Sequence, residues 1–147
     1  MTEKLVNKTI LVLEDEIPLQ NAINSKLKSN GFNVITARRV INGIDILENE
    51  ENVDAIWLDH YLLGKEDGLD FVTKIKNDIR WKSIPIFVVS NTASDHKLRA
   101  YLQLGVNKYY TKADNKLEDI IGDINISINK KEKYNDKSKK YSTYRRR

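Results

Sequence analysis

Short apolar runs alternate with longer amphipathic stretches along the whole chain. Runs of four to six residues that are rich in β-branched and aromatic side chains and bounded by turn formers predict strands. Five such runs occur: Thr9–Leu13, Phe32–Ala37, Val53–Leu58, Ile84–Val89 and Lys108–Thr111. The first is apolar along almost its full length, which is typical of a strand buried on both faces of a parallel sheet.

Each predicted strand is followed by a stretch with apolar residues at helical spacing. Pro18 is acceptable in the first turn of the first helix, and Gly31 and Gly105 supply stops for the first and fourth helices. Gly43 lies inside the second helix and is expected to cost about 1 kcal/mol. The predicted inward positions, helix by helix, are Leu19, Ile23 and Leu27; Ile41, Ile44 and Leu47; Phe71, Val72, Ile75 and Ile79; Leu98, Tyr101 and Leu102; and Leu117, Ile120, Ile121, Ile124 and Ile128.

Strand and helix therefore alternate five times with short connections. This alternation predicts an α/β fold, in which a five-stranded parallel sheet is built by right-handed crossovers and covered by helices on both faces. Five strands fit an open flavodoxin-like (βα)5 sheet in the order 2-1-3-4-5 better than a closed eight-stranded barrel.

Polar side chains follow four of the predicted strands at the point where each strand ends. Glu14 and Asp15 follow the first strand, Asp59 the third, Ser90 the fourth and Lys112 the fifth. Each has an ordinary explanation by itself, as a helix-dipole partner, a turn former, a helix cap or a solvated loop residue. Because the carboxyl ends of parallel strands share one edge of the sheet, the five are expected to converge, which favours a functional site.

The chemistry of this set points to phosphoryl transfer. Three crowded carboxylates resist ionisation, and a divalent cation such as Mg²⁺ resolves the conflict because it prefers oxygen ligands. Lys112 and Ser90 are suitable donors to a phosphoryl group. Asp59 stands alone and central, so it is the candidate nucleophile that forms an aspartyl phosphate. A dinucleotide-binding domain is disfavoured because acids, not a glycine-rich turn, follow the first strand, and a haloacid-type phosphatase would need a second acid at Tyr61.

The same residues carry a resemblance to a known family. From Asn7 to Ile128 the chain resembles the CheY-like receiver domain of two-component response regulators. The matching motifs are the acidic pair Glu14-Asp15, the phosphoacceptor Asp59, the hydroxyl residue Ser90 in IPIFVVS, and the switch aromatic Tyr109 and the lysine Lys112 in GVNKYYTK.

The resemblance implies a mechanism and partners. A sensor histidine kinase or phosphotransfer protein would donate the phosphoryl group to Asp59, with Mg²⁺ or Mn²⁺ held by Asp15, Asp59, the backbone carbonyl of Tyr61 and, through water, Glu14. Ser90 would move to the phosphoryl group and Tyr109 would turn inward. The face made by the fourth helix, fifth strand and fifth helix would then change for a downstream protein target, and it is also the candidate homodimer contact. Such a protein is a phosphoacceptor with slow autodephosphorylation rather than an enzyme acting on other molecules.

Several positions around the site depart from the family pattern. Ala113 stands where the family usually has proline after the lysine, and Asn91 replaces the usual small residue after Ser90. The loop from Asp59 to Gly68 is one residue longer than usual and lacks proline. His60, Tyr61, Asn91 and Ala113 are therefore expected to modulate the lifetime of the phosphorylated form.

Charge divides the chain into two parts. The formal net charge of +4 hides a tail, residues 129–147, with nine Lys or Arg and two acids, whereas residues 1–128 carry 16 basic and 19 acidic residues. We interpret 1–128 as the receiver domain and 129–147 as a solvated tail or helix extension. The favoured hypothesis is a stand-alone receiver that acts through protein contacts. The alternative is the receiver part of a transcriptional regulator, or a nucleic-acid-associated protein that uses its basic tail on nucleic acid or another anionic surface.

Composition excludes several other classes. The absence of cysteine removes disulfides, thiol nucleophiles and cysteine-ligated metals, and two histidines are too few for a histidine-rich metal site. The charged amino terminus has no signal-peptide core, and no apolar stretch approaches the length of a membrane span. A cytoplasmic location is therefore expected.

Overall fold

A five-stranded parallel sheet forms the centre of the protein in the computed structural model, which describes residues 7–91 and 94–130. The strands are β1 (Thr9–Leu13), β2 (Asn33–Ala37), β3 (Ala55–Leu58), β4 (Ile86–Ser90) and β5 (Lys108–Thr111). Their order is β2-β1-β3-β4-β5, so the fold class and the strand order predicted from the sequence are confirmed. Most of the basic tail, residues 131–147, lies outside the described residues.

Helices cover both faces of the sheet. They are α1 (Ile17–Ser29), α2 (Val40–Asn49), α3 (Gly68–Lys76), α4 (Asp95–Leu104) and α5, which runs from residue 117 to residue 130 within the described part. Apolar residues of α1 and α5 pack on one face, and those of α2, α3 and α4 pack on the other. Within residues 7–91 and 94–130, none of the helices is both long enough and apolar enough to span a membrane.

Three residues predicted to face the core are exposed. Ile79 is 83% exposed because α3 ends earlier than predicted, at Lys76, and the chain enters turns from Asn77. Leu102 is 50% exposed because the inward position of α4 is taken by Tyr101, which is fully buried. Ile41 is 63% exposed because α2 turns a different stripe of residues inward.

The inward stripe of α2 contains a glycine for a packing reason. The buried residues of α2 are Val40, Gly43 and Leu47. A Cβ atom at Gly43 would lie 2.9 Å from Cδ2 of Leu13 and 3.0 Å from Cε1 of Phe71. Only glycine therefore lets the helix approach this closely, so the intrinsic cost of a helical glycine is offset by close packing on the sheet.

Candidate functional site

The register of the sheet brings the predicted site residues to one edge. Leu13 of β1 pairs with Leu58 of β3, so Glu14 and Asp59 leave neighbouring strands at the same level. The backbone N–H of Asp59 donates to the carbonyl of Leu13 at 2.9 Å, which extends the pairing to the first residue of the loop. All four residues of β3 are fully buried, so the strand carries Asp59 directly from the core to the carboxyl edge.

The three acids form a cluster suited to a metal ion. Glu14, Asp15 and Asp59 each offer a carboxylate oxygen, and these oxygens lie within 4.8 Å of one another. Oδ1 of Asp59 is buried and has no hydrogen-bond partner among the described residues. Arg38 donates two hydrogen bonds, at 2.8 and 3.0 Å, to the backbone carbonyl of Asp15, which fixes the loop that carries this acid. An unpaired buried carboxylate oxygen among other carboxylates fits a hard cation that takes oxygen ligands, such as Mg²⁺ or Mn²⁺.

Lys112 reaches the acids from the end of β5. Its Nζ donates to Oε1 of Glu14 at 2.9 Å and to Oδ2 of Asp59 at 3.3 Å. The register that pairs Ser90 with Thr111 delivers Lys112 to the same edge of the sheet, where a short 3₁₀ turn (Lys112–Asp114) follows. The peptide bond to the exposed Ala113 is trans.

Burial dominates the electrostatics of the cluster. It raises the pKa of Glu14 to about 7, against the hydrogen bond from Lys112 and with help from the charge of Asp59. Burial also raises the pKa of Asp59, and the Lys112 ammonium group opposes this rise. Burial alone lowers the pKa of Lys112, but the hydrogen bond to Glu14 and the charge of Asp59 together raise it above its ordinary value. One lysine therefore does not neutralise the buried acids.

The raised pKa of Glu14 predicts how the stability of the metal-free protein depends on pH. The Glu14 carboxyl ionises near 4.5 in the unfolded chain and at about 7 in the folded one. Between these values the folded state holds a proton that the unfolded state has lost. The free energy of unfolding therefore falls as the pH rises through this window, by roughly 2–3 kcal/mol.

Urea unfolding in EDTA at about pH 5 and about pH 8 measures this effect. Between about pH 5 and about pH 8, the free energy of unfolding is expected to fall more in the wild type than in the Glu14→Gln variant. The variant has no carboxyl group to titrate at this position. Titrating groups that do not contact Glu14, including His60, are common to both proteins and cancel in the comparison. Asp59 and Lys112 contact Glu14, so the difference between the two proteins includes their response to its replacement. The same pH dependence in both proteins would contradict the assignment to Glu14.

The two residues predicted to act as a switch contact each other. Ser90 is fully buried at the end of β4, and Tyr109 is half-buried in β5. The Ser90 side chain interacts with the Tyr109 hydroxyl, which limits the rise that burial causes in the pKa of Tyr109. Tyr109 is thus already turned toward Ser90 in this structure. Asn91, the residue after Ser90, is exposed beside the site.

The loop after Asp59 contains a contact that the sequence did not reveal. His60 is buried, and its Nδ1 lies 2.6 Å from the hydroxyl of Tyr101 in α4. The sequence identified His60 as a modulating residue but assigned Tyr101 only to the core. Tyr61 is 52% exposed, and its hydroxyl accepts a hydrogen bond from Nζ of Lys97 at 2.6 Å. His60 and Tyr61 therefore tie this loop to α4, one inside the protein and one at the surface.

A comparison with protein families agrees with this geometry. The family model of the response regulator receiver domain matches residues 10–124. That range covers β1 from its second residue, the other four strands and every candidate site residue from Glu14 to Ala113.

Individual relatives are similar over most of this chain. The phosphate regulon transcriptional regulatory protein PhoB of Klebsiella pneumoniae is 30% identical over 105 residues, which are 71% of this chain and 45% of that protein. The chain thus spans less than half the length of this curated relative. The phosphorylated cyanobacterial phytochrome response regulator RcpA is 28% identical, with a TM-score of 0.70 over 81% of this chain and 89% of that one. The Mn²⁺-bound response regulator Rcp1 is also 28% identical, with a TM-score of 0.68 over 80% and 88% of the two chains.

Proposed function

Because this chain belongs to the response regulator receiver domain family of two-component signalling, we propose that it carries a phosphoryl group on Asp59 and signals through a protein contact. One observation supports this most directly. The Asp59 carboxylate lies between two further acids and the Lys112 ammonium group, and one of its buried oxygens lacks a hydrogen-bond partner among the described residues. This arrangement suits an oxygen nucleophile that attacks phosphorus beside a cation.

The transfer step is a displacement at phosphorus. A carboxylate oxygen of Asp59 forms the new P–O bond while the P–N bond of a phosphohistidine on the partner breaks, and the imidazole leaves with the electron pair. Histidine kinases and phosphotransfer proteins are the partners of this family. Lys112 and Ser90 would then hold the phosphoryl oxygens, which carry the charge that develops in the transition state. Hydrolysis of the acyl phosphate returns Asp59 to the carboxylate.

The acid cluster would hold a divalent cation during this step. Asp15 and Asp59 would bind Mg²⁺ or Mn²⁺ directly, together with the backbone carbonyl of Tyr61, and Glu14 would bind it through water. The cation would neutralise charge on the acids and on the phosphoryl group. The Mn²⁺-bound form of Rcp1 supports this choice of metal.

The output would be a change of surface rather than a reaction on another molecule. Ser90 lies at the end of β4, and the ring of Tyr109 in β5 contacts Tyr101 of α4. We propose that the face formed by α4, β5 and α5 binds a downstream protein or a second copy of the chain. The protein would then be a phosphoacceptor and not an enzyme with an external substrate. The alternative of a nucleic-acid-binding regulator depends on the basic tail, most of which lies outside the described residues, and no described contact favours it.

Acetyl phosphate labelling tests the proposal. With Mg²⁺, the wild type is expected to show a shifted band on a phosphate-affinity gel, whereas Asp59→Asn and the wild type in EDTA are not. Asp54→Asn is the matched control. Asp54 immediately precedes β3, at the end of the strand away from Asp59, and its carboxylate accepts a hydrogen bond from the backbone N–H of Thr9 at 2.8 Å. This control should be labelled like the wild type. The proposal fails if neither acetyl phosphate nor a phosphohistidine donor labels the wild type, or if labelling persists in Asp59→Asn.

A further inference from the structure

Two buried polar side chains join the residue after Asp59 to α4. His60 is 3% exposed, and Tyr101 is fully buried. The 2.6 Å hydrogen bond between Nδ1 of His60 and the Tyr101 hydroxyl is accompanied by an edge-to-face contact of the rings, with centroids 5.7 Å apart. Breaking this bond would leave each polar group unpaired in apolar surroundings, so it strongly constrains the distance between the loop and the helix.

The surroundings identify the donor in this hydrogen bond. The His60 ring is almost completely buried, and a neutral ring costs less to bury than a charged one. The Asp67 carboxylate, which is an acceptor, lies 3.8 Å from Nε2 of His60. We therefore assign the ring proton to Nε2 and treat Nδ1 as the acceptor of the Tyr101 hydroxyl. Burial raises the pKa of Tyr101, so its hydroxyl stays protonated and able to donate.

The contact continues from Tyr101 to the switch residues. The rings of Tyr101 and Tyr109 have centroids 5.7 Å apart and are tilted by 44°. Tyr109 in turn interacts with the side chain of Ser90, which lies at the edge of the sheet beside the site. A continuous series of contacts therefore runs from His60 through Tyr101 and Tyr109 to Ser90.

The first turn of α3 leaves little space around this series. The backbone N–H of Gly68 donates to the carbonyl of His60 at 2.8 Å. A Cβ atom at Gly68 would overlap the Tyr101 hydroxyl, and it would lie 3.0 Å from the carbonyl oxygen of Asp59. Because this packing is close, a displacement of Tyr101 must alter its contacts with His60 or with Tyr109.

We propose that His60 and Tyr101 are positioning residues for the phosphorylation site, acting through their hydrogen bond and through the contact of Tyr101 with Tyr109. The bond holds α4 against the loop that carries Asp59, and the Tyr101 ring keeps Tyr109 turned toward Ser90. A phosphoryl group or an analogue that selects this arrangement binds better while the bond is intact. This effect on Asp59 rests on the proposed function, whereas the effect on Tyr109 does not.

A surface contact between the same two elements is weaker. Nζ of Lys97 donates to the Tyr61 hydroxyl at 2.6 Å and lies 4.6 Å from the centre of its ring. Because Tyr61 is 52% exposed, water competes for this contact. The buried pair is therefore the one that determines the position of Tyr109.

Binding of beryllofluoride, a phosphoryl analogue, in the presence of Mg²⁺ tests the effect on the site. Tyr101→Phe and His60→Leu are each expected to weaken its affinity about 2- to 10-fold, which is the range for one net hydrogen bond. The double variant should bind no more weakly than the weaker single variant, because both changes remove the same bond. Affinities of both single variants equal to that of the wild type would overturn the proposal.

Tyr110→Phe is the matched control. Tyr110 is also buried, and its hydroxyl donates to Asp123 at 2.6 Å, but it packs on the opposite face of the sheet. Losing this bond should lower stability without changing the affinity for beryllofluoride. An equal loss of affinity in Tyr110→Phe and Tyr101→Phe would show that general destabilisation, and not positioning, is responsible.

An NMR measurement on the metal-free protein separates this inference from the proposed function. The contact between the Tyr109 ring and the Ser90 Cβ protons should be present in the wild type and in Tyr110→Phe, and weaker in Tyr101→Phe and His60→Leu. An unchanged contact in the last two variants overturns the coupling whatever Asp59 does. If the wild type shows the contact but binds no beryllofluoride, the proposed function fails and the coupling to Asp59 fails with it.

Discussion

Replacement of Lys112 by methionine is expected to slow the phosphorylation of Asp59 by acetyl phosphate about 10²–10³-fold, the usual loss when one preorganised donor to a transition-state oxyanion is removed. The Lys112 side chain is only 14% exposed, and its Nζ lies 3.3 Å from Asp59 and 2.9 Å from Glu14. Its charge therefore acts in surroundings that water screens weakly. Methionine keeps much of the side-chain volume, so the change removes mainly the charge and its hydrogen bonds.

A neighbouring lysine gives the control for this prediction. Lys116 lies in the connection that leads to α5 and is exposed, so Lys116→Met should leave the rate within about twofold of the wild type. Initial rates with saturating Mg²⁺ on a phosphate-affinity gel measure both variants, and circular dichroism verifies that they fold. A Lys112→Met rate within about threefold of the wild-type rate would remove Lys112 from the phosphoryl-binding set.

The fold could be predicted because its three central strands, β1, β3 and β4, are short and almost wholly apolar. Runs such as Thr9–Leu13 have no polar face, so they fit only a sheet that is covered on both sides. Strict alternation with helices then determines the direction of the strands and the handedness of the connections. Helix ends were harder to predict, because the end of α3 at Lys76 has neither glycine nor proline to mark it, and Ile79 was wrongly assigned to the core.

The candidate site could also be predicted, and for a related reason. In a parallel sheet the residue after each strand lies at a known edge, so sequence position alone brought Glu14, Asp59 and Lys112 together. The contacts of Lys112 with Glu14 and Asp59 agree with this expectation. Their roles in phosphoryl transfer remain predictions.

Side-chain contacts between distant elements could not be predicted in this way. The bond between His60 and Tyr101 joins residues 41 positions apart, and it depends on the rotation of α4 and on the space left by Gly68. Nothing in the helical spacing of Tyr101 distinguishes a hydroxyl that reaches a histidine from one that reaches solvent. Such pairs require coordinates of packed side chains, because patterning determines which face is buried but not which atoms meet.

Gly68→Ala is expected to destabilise the protein by about 1–3 kcal/mol, although alanine is intrinsically the better helix former. The added methyl group would overlap the Tyr101 hydroxyl and lie 3.1 Å from Cα of His60. Relief requires movement of a fully buried tyrosine that is held by a hydrogen bond, or movement of the backbone beside Asp59. Thermal unfolding should show a fall in Tm of roughly 3–10 °C.

A rescue variant and a control variant make this expectation specific to Tyr101. The double variant Gly68→Ala/Tyr101→Phe removes the oxygen that the methyl group meets, so it should be more stable than the sum of the two single effects predicts. Gly122→Ala in α5 is the control, because a Cβ atom there meets nothing within 4 Å, and the change should stabilise the protein by about 0.5–1 kcal/mol. A Gly68→Ala variant as stable as the wild type would show that Tyr101 has room to move. The inference that the Tyr101 hydroxyl holds α4 close to the Asp59 loop would then be wrong.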